Sequence, residues 1–282
     1  MAGIGTIVHS TACRSDTRTA LETDLDRAME SDEFVLHYQP IIDLRTGEIR
    51  AAEALVRWQH PRLGLLAPDC FIPLAEQTRL IAPLGDVVMR RAFHAARSWR
   101  RAGLPPIAVT VNVAPQQLER PQPASRVASL LAEAKLEPSA VLLELTESAA
   151  VRDLDAAARA MHELRELGVR FAIDDFGTGY ASLDYLRRFP VAVLKLGCGL
   201  VRTVVEDAGA ATIASAVVTL AHDLGLDVVA EGVETAEQFE FFRDRACDMI
   251  QGRGSGAPMP DELFRRLLAG APARAPAPAF DA

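Results

Sequence analysis

RFAIDD, residues 170–175, is a short apolar run that finishes in two carboxylates, Asp174 and Asp175. The same construction recurs along the chain. AVTVN ends in Asn112, VLLELTE carries Glu144 and Glu147, and VLKL carries Lys195. DVVAEGVE carries Glu231 and Glu234, DMIQG ends in Gln251, and EIRAAEALVRW carries Glu53 and Arg57. Short apolar runs of this kind read as strands buried on both faces, which is the habit of parallel sheets.

Working outward, strands are expected over 34–38, 48–55, 107–113, 141–146, 170–174, 191–196, 227–231 and 247–250. Amphipathic helices are expected over 69–80, 85–101, 124–135, 153–167, 207–224, 235–244 and 260–269. Leu167-Gly168 and Leu224-Gly225 close two of the helices as C-terminal capping glycines. Alternating strand and helix predicts parallel strands with helical crossovers. Eight such strands in roughly 250 residues favour an α/β fold in one domain, a (β/α)8 TIM-like barrel. An open doubly wound sheet is the alternative, but no G-x-G-x-x-G follows the first strand. Residues 1–19 are expected to be a loosely ordered lead-in, 20–270 the folded domain, and the Ala/Pro-rich residues 271–282 a disordered tail.

Composition narrows the classes of function. The chain has 282 residues, 49% of them hydrophobic, enough for one sizeable core. Acidic residues number 38 against 30 basic, a formal charge of −8. That argues against sequence-independent binding of DNA or RNA duplexes, which needs a basic surface. Cys13, Cys70, Cys198 and Cys247 form no CxxC pair, so zinc is not expected, and reduced thiols in a cytoplasm are. No apolar run approaches the roughly 20 residues that span a bilayer, and the N-terminus does not read as a signal peptide.

In a barrel all these strand ends meet at one mouth, where such folds build their sites. A lone acid there is commonly a helix cap, and Glu237 reads as a helix start. The recurrence over several strands is what carries the inference. Converging carboxylates repel one another, and divalent cations relieve the repulsion. Oxygen ligands with one amide suit Mg²⁺ or Mn²⁺.

At these residues the chain resembles the EAL-domain family of cyclic-di-GMP phosphodiesterases. YQPIIDLRTGEI, EALVRWQHPRLG, FIPLAE, NVAPQQL, ELTES, DDFGTGYASLDYL, LKL, AEGVET and QG occur in the family's order, over about residues 20–268. The resemblance implies hydrolysis of cyclic di-GMP to linear 5′-pGpG with two metal ions. Glu53, Asn112, Glu144 and Asp174 would be ligands of one metal. Asp174 would bridge to a second metal that Asp175 also binds, with Glu231 at the metals or on their water. Lys195 would orient or activate the attacking water, its pKa lowered beside the metals. Glu147 would anchor the DDFGTG loop, which in the family couples the metal site to a dimer interface. Gln39, Leu55 and Arg57 would contact the dinucleotide, as would Asn112, Asp175 and Lys195, with Glu234 and Gln251 supporting the pocket. A homodimer is implied, and a regulatory protein partner is a further possibility.

Two departures stand out. Gly197 replaces an aspartate that would share a face with Lys195. Arg253 stands after Gly252, where the family has an aromatic residue near the guanine, and a guanidinium can stack on a base. The alternative reading is therefore a degenerate EAL domain that binds cyclic di-GMP or a protein without efficient turnover. Another two-metal barrel hydrolase has little support from the ordered motifs.

Overall fold

The structure, a computed structural model, describes residues 15–146, 153–177 and 183–270. It opens on helix α1 (Ser15–Glu30), so helix begins inside the segment expected to be a loose lead-in. There follow β1 (Phe34–Asp43), β2 (Ile49–His60), β3 (Gly64–Leu66), α2 (Ile72–Gln77), α3 (Ile81–Arg101) and β4 (Ala108–Asn112). Next come α4 (Pro115–Glu119), α5 (Pro123–Ala134), β5 (Val141–Thr146), α6 (Leu154–Glu166), β6 (Arg170–Phe176), α7 (Leu183–Arg188) and β7 (Val193–Leu196). The chain continues through α8 (Cys198–Thr203), α9 (Ala208–Asp223), β8 (Asp227–Glu231), α10 (Ala236–Arg243), β9 (Met249–Gln251), β10 (Met259–Pro260) and α11 (Asp261–Gly270). The tail beyond 270 lies outside the described residues.

Eight strands close into a barrel in the order β1-β9-β8-β7-β6-β5-β4-β2, and the β1–β2 pairing seals it. β3 and β10 are short additions alongside β2 and β1. The barrel is not wholly parallel. β1 runs antiparallel to both neighbours, because it returns to β2 through a hairpin rather than a helix. The remaining barrel pairs, from β2 through β9, are parallel. The glycine caps are present: Gly168 and Gly225 have positive φ, 97° and 72°, just past α6 and α9.

The expected strands are all found, with shifted ends. β2 runs past the expected 48–55 because its pairing with β1 continues to Phe34–Trp58, and β1 runs past 34–38 because it goes on pairing with β2 to Ile42 and with β9 to Asp43. Neither α1 nor the short helices α4, α7 and α8 was expected. α4, α7 and α8 are too brief to show a helical period.

The core has two parts. The larger lies between strands and helices. The smaller fills the barrel: Ile41, Ala51, Ala108, Leu142, Ala172, Val193 and Val229. Side chains on a strand repeat every second residue. Stepping two residues from that layer therefore gives Gln39, Glu53, Thr110, Glu144, Asp174, Lys195 and Glu231. The apolar layer is the floor on which the polar mouth is laid.

One glycine is fixed by close backbone approach. A Cβ at Gly252 would lie 2.3 Å from the Val233 carbonyl oxygen and 2.5 Å from its nitrogen. Gly199, within α8, has no heavy atom within 4 Å of the corresponding position. We expect Gly252→Ala to lower unfolding stability by about 1–3 kcal/mol or more. Gly199→Ala should leave it unchanged or raise it by about 0.5–1 kcal/mol. Denaturant unfolding of both variants checks this pair, and an unperturbed Gly252→Ala would contradict the packing described.

Candidate active site

Lys195 is fully buried near the end of β7, and its ammonium meets four carboxylates from four other strands. Nζ lies 2.9 Å from Glu144 Oε2, 2.5 Å from Glu231 Oε1, 3.2 Å from Asp174 Oδ1 and 3.4 Å from Glu53 Oε2. Glu53, Glu144 and Asp174 are themselves buried. Glu53 is held from the other side by two amides. Asn112 Nδ2 donates to its Oε1 at 2.7 Å and Gln251 Nε2 to its Oε2 at 2.6 Å. Gln251 also donates to Gln39 Oε1 at 3.1 Å, and Gln39 Nε2 donates to the Gly256 carbonyl. One connected network thus joins β1, β2, β4, β5, β6, β7, β8 and β9.

Pairing register explains the convergence. Gln39 sits opposite Glu53, Asn112 opposite Glu144, and Glu231 opposite Gln251. At the β6–β7 pairing the register shifts between Ile173 and Phe176. Asp175 there has φ 56°, a left-handed conformation that Asp tolerates better than most residues. The irregularity lets two successive acids sit at the mouth, where a regular strand would turn one away. The Asp175 backbone N–H donates to Asp174 Oδ1 at 3.0 Å.

Charge in the ring does not balance. Burial pushes Glu144 well above the ordinary carboxylate value, and Lys195 only partly offsets that burial and the charges of Glu53, Asp174 and Glu231. Burial likewise raises Glu231, against the pull of Lys195, to about 8. Asp175 is raised by burial and by Asp174. Glu53 falls below its usual value: burial opposes its charge, but Lys195 and the two amides outweigh burial. Burial disfavours the Lys195 charge, yet the carboxylates prevail and hold its pKa well above normal. The lowered pKa expected for Lys195 belongs to a ring that also holds metal cations, whose charge would oppose the pull of the carboxylates.

The residues fit divalent metal on donor chemistry and charge. All the ligands are oxygens or amides, the acids outnumber the one cation, and Glu144 Oε1 is buried without a hydrogen-bond partner. Among the described residues no three acids, imidazoles or thiols surround one empty metal-sized point. The acids instead converge on Lys195, so an incoming cation would compete with the ammonium for the same oxygens.

The other expected residues are placed less centrally. Arg57 is buried on the same face of β2 as Glu53 and Leu55, its Nη1 donating to the Val56 carbonyl at 2.9 Å. Leu55 is half-buried. Arg253 is 82% exposed and faces Glu234, itself exposed, with Nε 3.5 Å from Oε1. Neither joins the ring. Glu147, the last two residues of DDFGTG (Thr178 and Gly179) and residues 180–182 lie outside the described residues. Thr110 was missed: it is fully buried, its hydroxyl has no partner, and it lies beneath Asn112. The two-residue period in AVTVN already placed it on that face. Cys70 is disulfide-bonded while Cys198 and Cys247 are free, so thiol usage does not support the expected set of reduced cysteines.

The EAL-domain family model matches residues 22–258. This chain belongs to the EAL-domain family. The domain is 42% identical over 246 residues to the bifunctional diguanylate cyclase/cyclic di-GMP phosphodiesterase MucR of Pseudomonas aeruginosa, covering 87% of this chain and 36% of that protein. It is 42% identical over 255 residues to the cyclic di-GMP phosphodiesterase NbdA of the same organism, covering 90% and 33%. The chain thus spans about a third of the length of these relatives. The solved MucR phosphodiesterase in complex with c-di-GMP superposes with a TM-score of 0.83 at 42% identity, over 87% of this chain and 99% of that one. Among the described residues of this EAL domain no helix is long and apolar enough to cross a membrane.

The ring makes a stability prediction for the chelator-treated protein. Lys195→Met removes the cation and leaves buried carboxylates together, which costs about 3–5 kcal/mol where they must stay ionised. Acids whose folded pKa lies above their unfolded value lose stability as pH rises through that interval. The loss should therefore be larger at pH 8 than at pH 5.5. Urea unfolding at the two pH values measures it, and a pH-independent loss below about 1 kcal/mol would contradict the charge imbalance.

Proposed function

We propose that this EAL domain hydrolyses cyclic di-GMP to linear 5′-pGpG, using two Mg²⁺ or Mn²⁺ ions. The observation that supports it most strongly is the ring of Glu53, Glu144, Asp174 and Glu231 around Lys195 at the barrel mouth. The named phosphodiesterase relatives support the choice of substrate. Glu53, Asn112, Glu144 and Asp174 hold one metal in this reading, Asp174 and Asp175 the other, with Glu231 beside them. When bound, paired divalent ions offset phosphate charge and stabilise the attacking and leaving oxygens of an in-line displacement.

The chain's own groups do the rest. Lys195 Nζ, held between Glu144 and Glu231, orients the attacking water. As the water oxygen bonds to phosphorus and the P–O3′ bond breaks, Glu231 takes the water's proton, Lys195 gives one to the leaving 3′ oxygen, and the proton on Glu231 then returns to Lys195. Arg57 carries the positive charge that meets a phosphate, and its guanidinium is suited to two parallel hydrogen bonds. Gln39 and Gln251 fix Glu53 in place and border the dinucleotide, with Leu55 against a base. Glu234 and Arg253 lie at the outer rim, where the guanidinium takes the second guanine. Glu147 serves as the anchor of the segment after β6.

A homodimer is part of the proposal. α9 carries no charged side chain between Ala208 and Ala221, and Ile213 is 54% exposed on it. Cytoplasmic residence and regulation by a protein partner belong to the same reading of a second-messenger enzyme.

The binding-only alternative draws on Gly197 and Arg253. Gly197 caps α8 with φ −62° and ψ 144° and makes no side-chain cap. That backbone accepts any residue, and aspartate is among the best in such a position.

Incubation of the purified protein with cyclic di-GMP and each metal, followed by chromatography of the products, tests the proposal. Linear 5′-pGpG should accumulate with metal and not with chelator, and Glu53→Ala should reduce the rate by at least about a hundredfold. Binding without product under either metal would favour the alternative. Gly197→Asp should raise the rate several-fold if the missing carboxylate limits it, and an unchanged rate would show that the departure is tolerated.

A further inference from the structure

Two buried groups near the ring lack partners and are chemically complementary. His37 Nδ1 and Arg57 Nε are both inaccessible to solvent and unbonded. Each belongs to a residue more than nine-tenths buried. Leaving such groups unpaired is costly, and native structures seldom do so without a reason.

They stand on neighbouring positions of one face. In the β1–β2 pairing Val35 is opposite Arg57, and His37 is opposite Leu55. His37 and Arg57 are therefore diagonal neighbours, on the face that also carries Gln39 and Glu53. Diagonal pairs lie about 7–8 Å apart at the backbone, within reach of long side chains. A neutral imidazole offers one donor and one acceptor nitrogen. The Pro258 carbonyl faces the His37 ring and suits the donor, which leaves Nδ1 as the acceptor. Burial and then the Arg57 charge both favour the neutral ring. Arg57 meanwhile spends Nη1 on the carbonyl of its own neighbour, Val56.

We propose that His37 is a positioning residue for Arg57. When the phosphate of cyclic di-GMP draws the guanidinium away from Val56, Arg57 Nε–H comes to donate to His37 Nδ1, which fixes the plane of the fork toward the ligand. This rests on the reading of Arg57 as a phosphate contact.

Calorimetric binding of cyclic di-GMP in the presence of chelator, which prevents metal-dependent turnover, gives the test. His37→Phe removes the acceptor and should weaken binding by about tenfold. His37→Asn keeps an acceptor oxygen near the Nδ1 position and should weaken it less than about threefold. In an Arg57→Lys background, which lacks the Nε–H, His37→Phe should add less than about twofold. A tenfold loss that persists there, an unchanged affinity in His37→Phe, or equal losses in His37→Phe and His37→Asn would each overturn the pairing while leaving the ligand reading intact. No binding by the wild-type chain with chelator, together with neither binding nor turnover with Mg²⁺ or Mn²⁺, would overturn both. Should His37→Phe not fold, NMR of the wild-type chain decides: the Arg57 Nε–H proton should move downfield on adding ligand, and an unmoved proton would overturn the pairing.

Discussion

One ammonium, Lys195 Nζ, lies within 3.4 Å of four carboxylates drawn from four strands. In a low-dielectric interior neither side of that contact is tolerable alone. The lysine would discharge without the acids, and the acids would protonate or separate without a cation. The same imbalance that unsettles the folded chain prepares it for chemistry. Burial keeps Glu144 and Glu231 hungry for a proton or a metal, and a fold that spends stability in this way is holding a functional site.

The barrel exists to impose that contact. Each strand contributes an apolar residue to the inner floor and, two residues on (two residues earlier on the antiparallel β1), a polar residue to the mouth. The period of two along a strand and the register between strands together fix where every oxygen lies. The helices on the outside bury the other face of each strand, so the strand ends cannot drift apart. Gly252 tightens the scheme locally: its bare Cα lets the chain after β9 lie against Val233, and that carries Gly256 to Gln39.

Much of this was legible in the chain itself. Runs such as RFAIDD and VLLEL announce both a strand and the side chain at its end, and the Leu-Gly steps announce the helix stops. Four features were not legible. β1 is apolar like the rest, and its reversal follows from a hairpin at Gly47 that the helical period of its neighbours does not announce. The brief helices α4, α7 and α8 are shorter than the window in which periodicity shows. The raised pKa of Lys195 depends on distances among five strands, and no spacing along the chain encodes those. His37 reads as one histidine in an apolar strand, and only the register with β2 sets it diagonal to Arg57.

The most direct measurement is an anomalous difference map from crystals grown with Mn²⁺ and cyclic di-GMP. Two manganese peaks are expected at the barrel mouth. One would be bounded by Glu53, Asn112, Glu144 and Asp174 and the other shared by Asp174 and Asp175, with Lys195 released from at least one acid. A mouth without manganese, with Lys195 still holding all four carboxylates while the dinucleotide is bound, would contradict that expectation.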